Sequence, residues 1–440
     1  MKKFIPFLYL IFLLVTTTNS QSYIGHGLGN YSGIHGVILN PSAVADSPMK
    51  MDINIISVSG FAGSDYLSLD KDEVLDYIDD LELNVNGKEY SRNDNQIFAN
   101  VDILGPSLMY KISPIQSLAI TSRLRSFINF NNISGNLVED FIEDFSSEET
   151  YSFGIYEFSE TAHLWGEIGI TYGRVLMQAD QHFFKGGLSL KYLMGAGSIF
   201  SNSPELTGRY NMFDRMLSTS GTLDYGSTPG FDSDYIEIEN TSSGLGGDLG
   251  FTYEYRNSET ADPQINKWSS YKIKVGLSVT DIGRISYKNS EITNYNMNNS
   301  VDTDNFENKS IEEILDENYS GEGNVFTSKI NLPTAFHILV DYNIKQNFYL
   351  SLNGSLSMIS GTRRFANRVI NTVTAMPRFE TKLFSFYLPL SVRQYEVLTA
   401  GTGFRFGPLT VGSGSILSNL FSDRTKSTDV YASLKVPIYR

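Results

Sequence analysis

The stretch LAITSRLRSFINF, residues 118–130, alternates so regularly that it decides the fold. Leu118, Ile120, Leu124, Ile128 and Phe130 fall on one face, and Thr121, Arg123, Arg125 and Asn129 on the other. A period of two belongs to a β-strand, whose successive side chains point to opposite faces. The division recurs at Phe184, Leu188, Leu190, Tyr192 and Met194 against Lys185, Ser189 and Lys191, and at Tyr271, Ile273, Val275, Leu277 and Val279 against Lys272, Lys274 and Ser278. It returns at Phe384, Phe386, Leu388, Leu390 and Val392 against Ser385, Tyr387, Ser391 and Arg393. The last 13 residues repeat it, with Val430, Ala432, Leu434, Val436 and Ile438 opposite Asp429, Tyr431, Ser433 and Lys435.

A soluble sandwich also alternates, so length and connection decide. Soluble strands average about 5–6 residues, whereas a tilted strand needs about 9–11 to cross a bilayer. Strands are predicted at about 51–61, 97–111, 117–130, 160–174, 182–196, 243–256, 269–285, 333–344, 347–359, 369–380, 382–394, 397–406, 408–418 and 428–440. The odd-numbered early connections, near 62–96, 131–159, 197–242 and 286–332, are long, and nearly all even-numbered ones are tight. Long external loops, short periplasmic turns and an even strand count characterise outer-membrane barrels. The expected fold is all-β: an antiparallel transmembrane β-barrel of about 14 strands, range about 12–16, with the short piece Gly221 to Tyr225 assigned to the third outer loop.

Composition narrows the function. The 440 residues carry 34 Lys+Arg against 49 Asp+Glu, a formal charge of −15, and no cysteine. Without Cys there is no disulfide scaffold, thiolate metal site or thiol nucleophile. A pI near 4.8 argues against a nucleic-acid partner, which needs a basic footprint to displace counterions. Lys2 and Lys3 precede an apolar run from Phe4 to Val15, and Thr18 and Ser20 suit cleavage before Gln21. Residues 1–20 therefore read as a signal peptide, too short in its apolar part to span a bilayer as a helix. The four long loops hold 33 acidic and only 8 basic residues, so the acidity concentrates where the loops face outward. Solvation accounts for it better than calcium binding: Asp70, Asp72, Glu73 and Asp76, or Asp302, Asp304 and Glu307, lack the spacing of a calcium loop. No metal or cofactor is expected.

Residues 21–50 differ from the strands. Gly25, Gly27, Gly29, Gly33 and Gly36 precede Asn40-Pro41-Ser42-Ala43, and with no strand before them they do not read as a phosphate loop. They read as an N-terminal hatch in the lumen, with Gly33, Gly36, Asn40 and Pro41 as its marked positions and the barrel following over 51–440. The Asn40-Pro41-Ser42-Ala43 stretch resembles the Asn-Pro-Ala element in the hatch of FadL-like outer-membrane barrels. Asn40-Pro41 with Ala45-Asp46, Gly244 to Tyr255, Ser278 to Tyr287 with Asp281-Ile282-Gly283, and the close at Leu434 to Tyr439 are similar to an uncharacterised FadL-like family of exported barrels. Ser42 replaces the usual Ala, and the chain ends in Tyr439-Arg440 rather than a terminal Phe. The superfamily includes fatty-acid and hydrocarbon channels and PorV-like secretion barrels. The resemblance implies a cell outer-membrane barrel that passes a hydrophobic small molecule; the alternative is a non-transporting scaffold whose external loops hold an outer-membrane protein partner.

Lumen candidates follow from the polar faces: Arg123, Arg125, Lys185, Lys191, Lys272, Lys274, Arg393, Arg405 and Lys435, against Glu167, Asp248, Glu254, Asp341 and Asp429. They read either as receivers of an anionic head group or as ion-paired filling. Gly105 and Pro106 interrupt the second strand, where proline removes a ladder donor, and mark a candidate lateral opening or a bulge. Five His, at 26, 35, 163, 182 and 337, form no His-Glu-x-x-His motif, and there is no Gly-x-Ser-x-Gly elbow; no enzyme is expected, the residual route being His163 or His337 paired with a lumen Ser.

Overall fold

A computed structural model describes residues 23–66, 69–70, 91–142, 145, 149–231, 242–256, 271–306, 309–394, 396–421 and 424–439. The signal-peptide reading, and Asp72, Glu73, Asp76 and Glu307 of the acidic clusters, lie outside these residues.

Among the described residues the chain forms a closed, antiparallel barrel of 14 strands. They are β1 (Met49–Ser64), β2 (Asn95–Leu104 and Ser107–Ser113), β3 (Gln116–Ile133), β4 (Tyr151–Ala179), β5 (His182–Asn211), β6 (Ser243–Arg256), β7 (Tyr271–Asn296) and β8 (Ser320–Asn331 and Ala335–Lys345). The remainder are β9 (Phe348–Ser357), β10 (Thr372–Glu380), β11 (Phe384–Tyr387 and Leu390–Arg393), β12 (Glu396–Ala400 and Thr402–Phe406), β13 (Leu409–Ser413) and β14 (Ser427–Tyr439). Closure is direct: β1 pairs with β14 from Met49↔Tyr439 to Gly63↔Ser427. The seam leaves no gap between the first and last strands, and backbone groups in the wall find partners in the neighbouring strands, as a bilayer demands.

The alternation resolves as apolar outward and polar inward. Ile120 is 51% exposed while Thr121 beside it is buried at 6%. Ile168, Ile170, Leu188, Leu190, Val340 and Leu350 are exposed on the same outer surface. Such a surface is stable only against hydrocarbon. No described helix is long and apolar enough to cross a membrane.

The strands also run well beyond the lipid band. β4 and β5 pair up to Tyr151↔Tyr210, and a further strand, Met216–Ser227, joins β5 to the upper part of β7. Gly221 to Tyr225 belongs to that strand. Helices α2 (Gly135–Ile142) and α3 (Ile311–Asn318) pack in the connections before β4 and β8, taking α1 as Ile34–Leu39 in the N-terminal segment. α3 begins with a capping box between Ser310 and Glu313, which satisfies two of its free amide groups.

One strand differs from the reading. The stretch predicted as 408–418 ends at Ser413 and turns into helix α4 (Ile416–Phe421). Ser413 Oγ accepts from the amides of Ser415 and Ile416 at 3.1 and 3.0 Å. Asp429 accepts from Gly414 N at 2.6 Å. These side-chain acceptors take the amides that a continuing ladder would have used.

Candidate functional site

The lumen is filled in layers. Innermost in sequence, Tyr23 to Pro48 packs inside the wall: Ile34, Val37 and Val44 are fully or almost fully buried. Lys435 holds it from β14, its Nζ donating to Tyr31 O (2.9 Å), Ser32 O (2.8 Å) and Asp52 Oδ2 (3.1 Å). The same Asp52 oxygen accepts from Ile34 N at 2.9 Å. Gly33 has φ +59°, and a Cβ there would overlap Asp52 Oδ2, so position 33 suits glycine for both conformation and space.

Asn40 and Pro41 sit against the wall. Asn40 Nδ2 donates to Phe251 O (3.2 Å), and its Oδ1 accepts from Ser42 N (3.0 Å) and Ser42 Oγ (2.7 Å). Pro41 opens the short helical turn Pro41–Val44, where its missing amide loses nothing. The backbone approaches so closely that a Cβ on Gly187 would lie 2.4 Å from Pro41 C, and one on Gly250 would lie 2.1 Å from Asn40 Oδ1. These two wall glycines were missed as site residues. Their inward parity, shared with the alternate polar residues Lys185 and Thr252, was the available signal.

Only some of the lumen candidates meet. Arg123 ion-pairs with Asp102 and, through Nη1, with Glu167 at 2.9 Å. Arg125 Nη1 reaches Asp281 at 2.9 Å, and Lys191 Nζ lies 2.8 Å from both Asp248 and Asp281. Three cations thus interlock with four carboxylates in a dry layer, where an unpaired charge would be far more costly than a paired one. Lys185 stands apart, 3.4 Å from Glu254 and donating to Ala45 O. Lys274 lies 3.3 Å from Asp341, which also pairs with Arg378 at 2.6 Å. Arg393 pairs with Asp429 at 2.5 Å, while Arg405 donates to the carbonyls of Thr381 and Lys382. Lys272 lies away from Lys274 because the β6–β7 register shifts between Tyr271 and Ile273; its Nζ donates to Asn343 O at 2.8 Å. Each of the nine basic candidates, Lys435 included, therefore already holds protein acceptors.

Above the ion pairs lies an aromatic layer of Phe61, Phe98, Phe127, Trp165, Phe200 and Tyr287. The connection between β9 and β10 folds over it, with Asn367 Nδ2 donating to Asn129 Oδ1 (3.1 Å) and Thr161 O (3.0 Å). The voids left inside are small, about 90 Å³ beside the N-terminal segment and about 50 Å³ beside Arg123 and His337. His163 Nε2 meets Tyr287 OH at 2.9 Å. His337 is held between Thr280 Oγ1 (2.9 Å) and Ser355 Oγ (2.7 Å). Among the described residues no group of three or more His, Asp or Glu gathers to hold a metal.

Gly105 and Pro106 break β2, and side chains sew the break. Asn54 Nδ2 donates to Leu104 O and Gly105 O, each at 2.9 Å, and Ser122 Oγ donates to Pro106 O at 2.9 Å.

The large void lies elsewhere. A cavity of about 470 Å³ opens under α2 and α3, lined by Phe130, Phe141, Phe153, Leu206, Leu217, Leu223, Met297, Phe306, Ile314 and other apolar side chains. Its floor is the outward face of the wall. Phe130 pairs with Ile97 and Glu160, and Glu160 with Ser201. Phe130 shares parity with the lipid-exposed Leu124 and Ile128, one pleat below. Ser201 joins this face because Ala196 is an extra residue in β5, between the pairs Trp165↔Gly195 and Leu164↔Gly197, and a one-residue shift exchanges the faces of a strand. Glu157, at φ +54°, lets Ile155 and Phe158 both line the cavity. In the third long connection Tyr210 is 1% exposed and Phe213 86%, with Met212 packed on the cluster around the cavity.

A closed barrel with a lipid-facing apolar surface and a polar, filled lumen defines an outer-membrane β-barrel protein. Within that class the chain belongs to the DUF5723 family, a family of unknown function, which matches residues 41–414. None of the curated proteins matches its sequence. Among solved structures, a Pseudomonas aeruginosa FadL homologue aligns at 10% identity over 96% of this chain and 99% of that chain, with TM-score 0.43. The Ralstonia pickettii toluene transporter TbuX aligns at 9% over 93% and 95%, TM-score 0.40. The outer membrane protease OmpT from Escherichia coli aligns at 9% over 89% and 98%, TM-score 0.23. The barrel assignment rests on this chain's own strand pairing.

Proposed function

We propose that this barrel is a channel for a hydrophobic small molecule, captured at its outer rim in the cavity beneath α2 and α3, with the N-terminal segment Tyr23 to Pro48 acting as a hatch. The cavity carries the reading. Its volume falls in the range of about 300–1,000 Å³ that holds small ligands, and its wall is almost wholly aliphatic and aromatic. Burying a ligand there gains about 25 cal/mol for each Å² of apolar surface removed from water. The cavity floor adjoins the lipid-facing band, so an apolar solute reaches it along a surface that already tolerates hydrocarbon. The ion-paired and aromatic layers keep the lumen shut to water and ions at rest, and passage requires the hatch to move. The scaffold alternative retains Phe213 as an exposed aromatic on the loops.

The test is uptake of radiolabelled naphthalene into proteoliposomes. The wild-type barrel is expected to accelerate it over empty vesicles, and Leu223→Trp, which puts an indole into the cavity, to abolish the gain. Uptake equal to that of empty vesicles would reject the channel reading.

A further inference from the structure

Among the described residues that line the cavity, Glu160 is the sole charged side chain; no Lys, Arg or His takes part. Glu160 Oε2 accepts from Ser201 Oγ at 2.7 Å, and neither Glu160 nor Ser201 faces a cation in any ion pair of the described residues. Glu160 pairs with Phe130, two residues along from the Ile128↔Ala162 pair. A half-buried carboxyl on an apolar wall without a cation is costly to ionise, and the wall offers it the Ser201 hydroxyl. It therefore has capacity for a polar group of a guest.

We infer that Glu160 with Ser201 selects the head group of the ligand: an apolar molecule whose head donates a hydrogen bond, an amine or a hydroxyl, and not a carboxylate. A ligand carboxylate would bring a second acid into a dry site with no positive group to meet it, and like charges in such a place disfavour each other's ionisation. An ammonium would instead supply the missing cation and make a charge-assisted hydrogen bond. A hydroxyl donates to the carboxyl as Ser201 does. This inference rests on the cavity being the binding site, so the experiment reads the two separately.

Equilibrium dialysis of radiolabelled decylamine, decanol and decanoate at pH 8 against the protein in nanodiscs, with empty nanodiscs subtracted, ranks the heads at constant chain length. Decylamine and decanol are expected to bind at least tenfold more tightly than decanoate. Glu160→Gln, which keeps shape and an acceptor oxygen but removes the acid, is expected to weaken decylamine at least tenfold, leave decanol within threefold and strengthen decanoate. Leu223→Trp is expected to remove all three. Decanoate binding as tightly as decylamine, yet lost in Leu223→Trp, would overturn the head-group inference and leave the cavity standing. A ranking unchanged by Glu160→Gln would overturn it as well. Binding of all three unaffected by Leu223→Trp would remove the cavity itself, and the channel reading with it.

Discussion

Lys435→Met should loosen the N-terminal segment without unfolding the barrel. The ammonium is 1% exposed in side-chain terms and Asp52 is fully buried. Its loss leaves the Asp52 carboxylate with the Ile34 amide and takes one donor each from the carbonyls of Tyr31 and Ser32. Removing one partner of a buried ion pair costs about 3–5 kcal/mol. With each 1.4 kcal/mol worth about tenfold in an equilibrium, the undocked population of the segment should rise about a hundred- to a few-thousand-fold. The strands keep their ladders, including Asn54↔Lys435 in the β1–β14 seam, so the loss is local. The double variant Lys435→Met with Asp52→Leu removes both charges; it should recover most of the loss, short of about 1 kcal/mol for each backbone hydrogen bond not remade. Hydrogen exchange followed by mass spectrometry in nanodiscs separates peptides from residues 23–48 from those of β3. Faster exchange in the first set only, largely reversed in the double variant, is the expected result. Unchanged exchange at 23–48 would refute the reasoning, and so would a double variant worse than the single one.

Gly250→Val should also displace the segment from the other side, since its Cβ would meet Asn40 Oδ1 at 2.1 Å and Pro41 Cδ at 2.9 Å; overpacking of this kind costs about 1–3 kcal/mol. Limited proteolysis near Asn40 is expected to speed up while the heat-dependent gel mobility of the barrel stays.

All 14 strands were legible from local information because the bilayer imposes a period of two on each segment separately. Ile120, Leu190 and Leu350 announce their outward faces whatever their partners are. The short turns and long connections likewise gave the strand order. Among the lumen charges, Asp102, Asp281 and Arg378 were not read from the alternation, and the pairs were not legible at all. Arg125 and Asp281 are 156 positions apart, and Lys272 was assigned to the lumen with Lys274 because the register slip at that residue leaves no mark in the alternation. The cavity was illegible for the same reason on a larger scale. Its helices read as acidic loop, its floor depends on the extra residue Ala196, and its walls come from β4, β5 and the loop before β8.

The sequence by itself determined that this chain forms a membrane barrel and, away from the bulges, which face of a strand meets lipid, because each follows from side-chain period within one segment. The tertiary structure alone decided which carboxylate answers which cation, that Gly187 and Gly250 make room for Asn40 and Pro41, and that the apolar cavity lies outside the wall around Glu160. Those depend on distances between strands, and distance across a barrel is set by bulges and closure rather than by neighbours in the chain.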